Sequence, residues 1–475
     1  MKKLFAIATL SLAHLSLGYL SLGMLSAQTF DRTKPPVSPD ARPYKLPPVS
    51  DTKLPNGLTI LMAEDARVPL ATVRLVFPSG NRRDPMDLPG LAASVAAMLD
   101  QGTKTRTYQQ IAEQLDGLGA TLSAVSGADQ LVIDGSTVAE NLPKLLELVA
   151  DVARNASFPE SELALEKQNR KQTLNVQHSQ PAFLANEEFR SVIFGDHPYA
   201  HIGPTAVSVD KIDQKALMDY RDTFMVPNNA FLIVVGKLPA RAVAMKIVTD
   251  QFGSWQSKPV PEYKPGAPPA AQRRLVLVDR PGSVQADVRM GKVAGTHHDA
   301  DYFPEMMGSM IVGGGTSSRL FLDIREKRGF AYDVHSEIAA LDNAGMFAAV
   351  TQVRNEVAAD ALQGILDHLD RMGKEPVTKE ELSDAKSLAN GEFLLRMEPQ
   401  SALADQLVLM KVQNLPKDYL ETYTTKVNSV EPDQIEAAAK KYIAPDNDAI
   451  VVVGDAAKLG PALGKIGKFE VVTPK

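Results

Sequence analysis

The chain has 475 residues, a formal net charge of −6, 44% hydrophobic and 23% charged residues, and no cysteine. This is the balance of a globular protein long enough for several cores, and an acidic chain with no basic cluster gives no footing for nucleic acid. Without thiols, disulfides, a lipid-modified cysteine and cysteine catalysis are excluded.

In chain order, Lys2 and Lys3, a long apolar run from Leu4 and Leu25-Ser26-Ala27 before Gln28 form the pattern of a secretory signal. The expectation for 1–27 is cleavage near Ala27 and export, to a periplasmic location, with an uncleaved anchor helix as the alternative. The chain after Ala27 carries 49 basic and 57 acidic residues, and no later segment is apolar for long enough to span a membrane. Residues 28–50 are polar and dense in proline (Pro35, Pro36, Pro39, Pro43, Pro47, Pro48), which predicts an extended strap or spacer.

Two halves then repeat one order of elements. In 51–255, strands are predicted at GLTILMAE and ATVRLVF, helices at Gly90–Thr103 and TYQQIAEQLDGLG, strands at ATLSAVSG and QLVIDGST, then a longer helical block and the buried-type strand AFLIVVG. Residues 256–272, with KPVPEYKPGAPPAAQ, read as a linker. In 273–475, RRLVLVDR and ADVRMGKV are followed by helices around Tyr302–Val312 and Ser317–Arg328 and strands HSEIAAL and GMFAAVTQV. Helices around Asn355–Arg371 and Lys379–Met397 and the strand AIVVVG come next. The repetition argues for an α+β fold of two duplicated sheet-plus-helices units.

The helix Gly90–Thr103, GLAASVAAMLDQGT, has Asp87 as its predicted cap, Pro89 in its first turn and Gly102 after its end. Positions 93 and 97 stand one turn apart on one face with 96 beside them, the arrangement in which His-x-x-Glu-His supplies two zinc ligands and a general base. Here they are Ala93, Ala96 and Ala97, which offer neither a lone pair nor a proton acceptor.

LPNGLTILMAED (Leu54–Asp65), VRLVFPSGNRRDP, PGLA and Met98–Thr103, with FGDHPYAHIGP (Phe194–Pro204), NNAFLIVVGKL (Asn228–Leu238) and IVGGGTSSRLFLDIREKRGFAYDV (Ile311–Val334), resemble pitrilysin/insulinase-type zinc metallopeptidases. The resemblance spans roughly residues 50–455 and implies two homologous α/β halves facing each other as a clamshell. It also implies a third ligand, a glutamate, at about Thr173, where KQNRKQTLNVQ has no acid and Glu166 lies about two helical turns away. No metal or cofactor is therefore expected on this chain.

What the resemblance retains is Arg325 and Tyr332 in REKRGFAY. It implies that Tyr332 stabilises an oxyanion and Arg325 positions the peptide, on a site whose zinc is held by a homologous partner bearing His-x-x-Glu-His. Gly313, Gly314 and Gly315 read as a turn that lets backbone approach another chain, since GGGT lacks the Lys-Ser/Thr of a phosphate loop. Strand Ala120–Gly127, including Ser123, is a candidate edge for peptide addition. Arg319 reads as a structural donor and Arg328 as a solvated helix-end charge. His197 and His201 read as loop histidines, and His297-His298-Asp299 lacks an evident third metal partner.

The expectation is an exported, zinc-free subunit of a heterodimeric zinc metalloendopeptidase acting on short or unfolded peptides. The alternatives are an inactive peptide-binding or assembly scaffold, and a hydrolase with a separate metal site at His297 and His298.

Overall fold

The computed structural model describes residues 44–474. The expected signal and most of the proline-rich segment lie outside the described residues. The first half contains strands β1 (Val49–Lys53), β2 (Thr59–Glu64), β3 (Leu70–Phe77), β4 (Thr121–Ser126), β5 (Leu131–Val138) and β6 (Phe231–Gly236). Its helices are α1 (Leu91–Met98), α2 (Tyr108–Leu118), α3 (Leu142–Asn155), α4 (Glu160–His178), α5 (Pro181–Phe194), α6 (Ala206–Lys211), α7 (Gln214–Phe224) and α8 (Arg241–Phe252). The second half contains β7 (Arg274–Asp279), β8 (Gln285–Ala294), β9 (Ala331–Ala340), β10 (Gly345–Arg354), β11 (Ala449–Gly454) and β12 (Glu470–Val472). Its helices are α9 (Tyr302–Gly313), α10 (Ala358–Met372), α11 (Lys379–Arg396), α12 (Gln400–Val412), α13 (Tyr419–Asn428), α14 (Pro432–Tyr442) and α15 (Ala456–Leu463), with a π-helical turn at Phe321–Lys327.

The two sheets run β1-β2-β6-β3-β5-β4 and β12-β7-β11-β8-β10-β9. Strand for strand five of the six match: β2 and β6 are parallel as β7 and β11 are, and the other pairs among these five are antiparallel. The outer strand differs. β1 precedes its half and pairs antiparallel, whereas β12 closes the chain and pairs parallel. β1 begins in the last two residues of the predicted extended segment 28–50, and its antiparallel pairing with β2 from Val49↔Ala63 to Lys53↔Thr59 makes Val49 and Ser50 part of an edge strand. Residues 256–273, between the halves, carry no helix or strand.

Apolar runs on the central strands follow from burial on both faces. In β2, Ile60 and Met62 face the first half's own helices, while Leu61 and Ala63 face away from them. That second face is covered by the other half: Leu61, Ala63, Val76, Ile233 and Val235 pack against Phe393 and Met397 of the α11 end, Leu403, Leu407 and Val408 of α12, and Leu420 of α13. Reciprocally, Leu184, Phe189, Ile193 and Phe194 of α5 cover Val276, Val278, Met346, Val451 and Val453 of the second sheet. The halves thus exchange helices, α5 for α12, and neither sheet is sealed without the other half.

Local signals set the helices. α2 begins in a capping box of Thr107 with Gln110 and ends at Gly119 in the left-handed conformation. α11 begins in a capping box of Thr378 with Glu381. In α3, Leu142, Leu145, Leu146, Val149 and Val152 form one buried stripe at helical spacing.

Candidate functional site

α1 carries the three alanines. Its N-terminus is held by Asp84, whose carboxylate accepts from the amides of Gly90 at 2.7 Å and Ala92 at 2.8 Å. The predicted cap, Asp87, does not fill this role, because the chain reaches the helix through Gly90 at φ 90°, which turns Asp84 rather than Asp87 under the first turn. A side chain at Gly90 would stand 2.4 Å from Pro204, so that glycine also lets the 195–204 loop close over the helix start. Burial lifts the Asp84 carboxyl to about 7 against the helix amides that lower it. Ala96 is buried, while Ala93 and Ala97 are half-buried on the more open side.

α4 packs against α1 and carries Thr173, which is exposed and donates its hydroxyl to the carbonyl of Asn169 at 3.0 Å. The nearby acid, Glu166, is paired with Arg170 at 2.6 Å on the same helix. Among the described residues no group of three His, Cys, Asp or Glu side chains is arranged to hold a metal ion. Ser123 lies exposed on β4, which ends the first sheet and leaves one backbone edge unpaired within it.

The second half places Arg325 and Tyr332 together. Ser317–Arg328 reads as an ordinary helix in the sequence, but Phe321–Lys327 is a π-helical turn, closed by Arg328 N–H to the carbonyl of Asp323. Gly329, at φ 63°, reverses the chain so that β9 returns past the turn. The Arg325 guanidinium carbon then lies 5.1 Å from the centre of the Tyr332 ring and 4.5 Å from that of Phe321. Tyr332 is 85% exposed. Arg328 is not a free helix-end charge: it pairs with Asp323 at 2.8 Å, which His368 also contacts at 3.0 Å. Arg319 forms a two-pronged pair with Glu381 at 2.6 and 3.0 Å; burial raises the Glu381 carboxyl, but this fork and the Thr378 amide and hydroxyl together hold it near 2.

Gly313 is buried, and a side chain there would meet the Ser336 amide of β9 at 2.4 Å. Gly314 and Gly315 are partly exposed, and Gly314 lines a cavity of about 450 Å³ walled by α9, β9, α11, α12 and α13, with Ser309, Ser336, Phe393 and Tyr419 among its lining. His297 lines the same cavity, packed on Tyr302 at 4.5 Å; burial, then His298, lowers it to about 4, so it is neutral at physiological pH. Its neighbour Asp299 is occupied by the Thr296 amide and hydroxyl. His197 is buried and accepts from the Tyr199 amide at 3.2 Å, a structural use.

A buried polar knot was not legible in the sequence. Asp129, in the β4–β5 turn, accepts from Tyr199 at 2.5 Å, Arg82 at 3.2 Å, Gln413 at 3.2 Å and the backbone amide of Asp342, in the β9–β10 turn, at 3.0 Å. Arg82 also pairs with Asp342 at 2.5 Å, and Tyr263 of the linker lies over its guanidinium at 4.8 Å. Burial opposes the Arg82 charge, but Asp342 and Asp129 together hold it above the usual arginine range. The knot ties the corresponding hairpins of the two halves tip to tip.

Fold and helix together define a scaffold of two exchanged α/β halves in which α1 carries alanine at positions 93, 96 and 97. Residues 59–202 match the family described as Insulinase (Peptidase family M16), and residues 211–388 match Peptidase M16 inactive domain. An uncharacterized zinc protease of Mycobacterium tuberculosis is 24% identical over 407 residues, covering 84% of this chain and 92% of that protein. The crystal structure of a peptidase M16 inactive domain from Pseudomonas fluorescens has a TM-score of 0.80 at 27% identity and covers 86% of this chain and 98% of that chain. The periplasmic protease PqqL from Escherichia coli shares the fold at a TM-score of 0.74 and 14% identity, with 88% of this chain but only 47% of that chain covered. The chain belongs to the insulinase-type peptidase M16 family, as a member without the zinc-binding residues.

Proposed function

We propose that this chain is the exported, zinc-free subunit of a heterodimeric metalloendopeptidase. A homologous partner bearing His-x-x-Glu-His holds zinc, water and general base; this chain closes the chamber. Tyr332 donates its phenol O–H to the oxyanion formed at the scissile carbonyl, and Arg325 holds a neighbouring peptide carbonyl. Ser123 on the β4 edge and the Gly313–Gly315 turn are the proposed peptide contacts, and the substrate is a short or unfolded peptide.

The observation that carries this reading is the contrast between the two halves. Every metal position on α1 and α4 is a small side chain without a usable donor set, while Tyr332 stands 85% exposed beside Arg325. In export, the basic start and apolar run of 1–27 supply the signal, and no helix among the described residues is long and apolar enough to cross a membrane.

The test is to purify the chain alone and with the homologous zinc-bearing chain and to follow cleavage of an internally quenched unfolded peptide. Cleavage only by the mixture supports the reading. Cleavage by this chain alone, or a stable complex with no activity under any peptide tried, refutes it in favour of an independent hydrolase or a scaffold.

A further inference from the structure

We propose that Phe321 is the positioning residue for Arg325, holding its guanidinium so that the N–H edge faces a peptide carbonyl. The inference rests on the reading of Arg325 as the peptide clamp. The guanidinium carbon of Arg325 is 4.5 Å from the Phe321 ring centre and 5.1 Å from that of Tyr332. A contact through ring faces attracts the cation without consuming its five N–H donors, which stay available for oxygen acceptors. The only ion pair of Arg325 among the described residues is with Glu326 at 3.5 Å, too long for a strong hydrogen bond.

The two rings are not equivalent. Tyr332 is 85% exposed, on the outermost strand of its sheet, and its proposed task takes its hydroxyl to the scissile carbonyl. When Tyr332 turns to substrate, its ring leaves Arg325. Phe321 is half-buried and sits in the same π-helical turn as Arg325, and Leu320 just before that turn and Ile324 within it are fully buried, so the backbone that carries its ring is anchored. Phe321 therefore lets the two donors act on different atoms of one peptide without Arg325 losing its orientation. Phe321 is not among the buried core residues, so Phe321→Leu removes the ring face while leaving the fold intact.

The experiment has two arms. In the reconstituted two-chain complex, with an internally quenched unfolded peptide as probe, Phe321→Leu raises KM roughly fivefold and changes kcat less than about twofold, and Phe321→Tyr restores KM. In the chain alone, with labelled arginine, the Nε–H resonance assigned to Arg325 by its absence in Arg325→Lys loses order in Phe321→Leu and recovers it in Phe321→Tyr. An unchanged Arg325 order in Phe321→Leu overturns the proposal. An unchanged KM in Arg325→Ala overturns instead the clamp reading beneath it, and the resonance arm still decides whether Phe321 fixes the side chain.

Discussion

Single side chains in this protein do opposite work depending on what surrounds them. Glu305, fully buried in the first turn of α9, is lifted to about 8 by burial, against the Gly295 amide that lowers it and with Asp301 and Asp299 adding to the rise. Between about pH 4.5 and 8 the native carboxyl stays protonated while the unfolded one ionises, so the unfolded state binds fewer protons and stability falls as pH rises through that window. Urea unfolding of the wild type against pH reads this slope directly, and Glu305→Gln is expected to flatten it; an identical pH dependence in the variant excludes Glu305 as its source. Asp129 is the reverse case: a buried acid whose charge is met by Arg82, Tyr199, Gln413 and a backbone amide. Asp129→Ala leaves those donors facing an empty site, and a loss of about 3–5 kcal/mol in unfolding free energy is expected by denaturant titration. A loss below about 1 kcal/mol contradicts the structural importance given to the knot.

At the scale of elements, periodicity was a good guide wherever burial imposed it. AFLIVVG and AIVVVG read as buried strands and are the inner strands β6 and β11, covered on both faces. What escaped the sequence depended on partners far along the chain. The edge strand β1 exists because β2 is there to pair with it, and the π turn at Phe321–Lys327 has the composition of an α-helix. Asp84 outcompetes Asp87 as the α1 cap only because Gly90 adopts a positive φ. In the candidate site, Ala93, Ala96 and Ala97 were legible as residue types, since alanine cannot ligate in any fold. The stacking of Arg325 on Phe321 and Tyr332 was not, because it depends on the reversal at Gly329. The exchange of α5 for α12 likewise has no local signature. It has a measurable consequence: Phe189, fully buried between α5 and the second sheet, anchors one half on the other. Phe189→Ala is expected to cost about 3–5 kcal/mol and to unfold both halves in one transition, followed by circular dichroism and tryptophan emission from Trp255. Two separated transitions in the wild type contradict the exchange as the source of cooperativity.

Across the whole molecule, duplication supplies two comparable sheets, and the proposed role divides peptide hydrolysis between chains as the fold divides its core between halves. In the proposed division the first half keeps the α1 helix with alanines at 93, 96 and 97, and the second presents Arg325 and the exposed Tyr332. The measurement that bears most directly on this division is kcat of the reconstituted two-chain complex with Tyr332→Phe in this chain. Loss of one oxyanion donor is expected to lower kcat by about 10²–10³ with complex formation unchanged, since the phenol is 85% exposed and supports no core. A kcat equal to that of the unaltered complex contradicts the claim that this chain lends its donors to a partner's zinc.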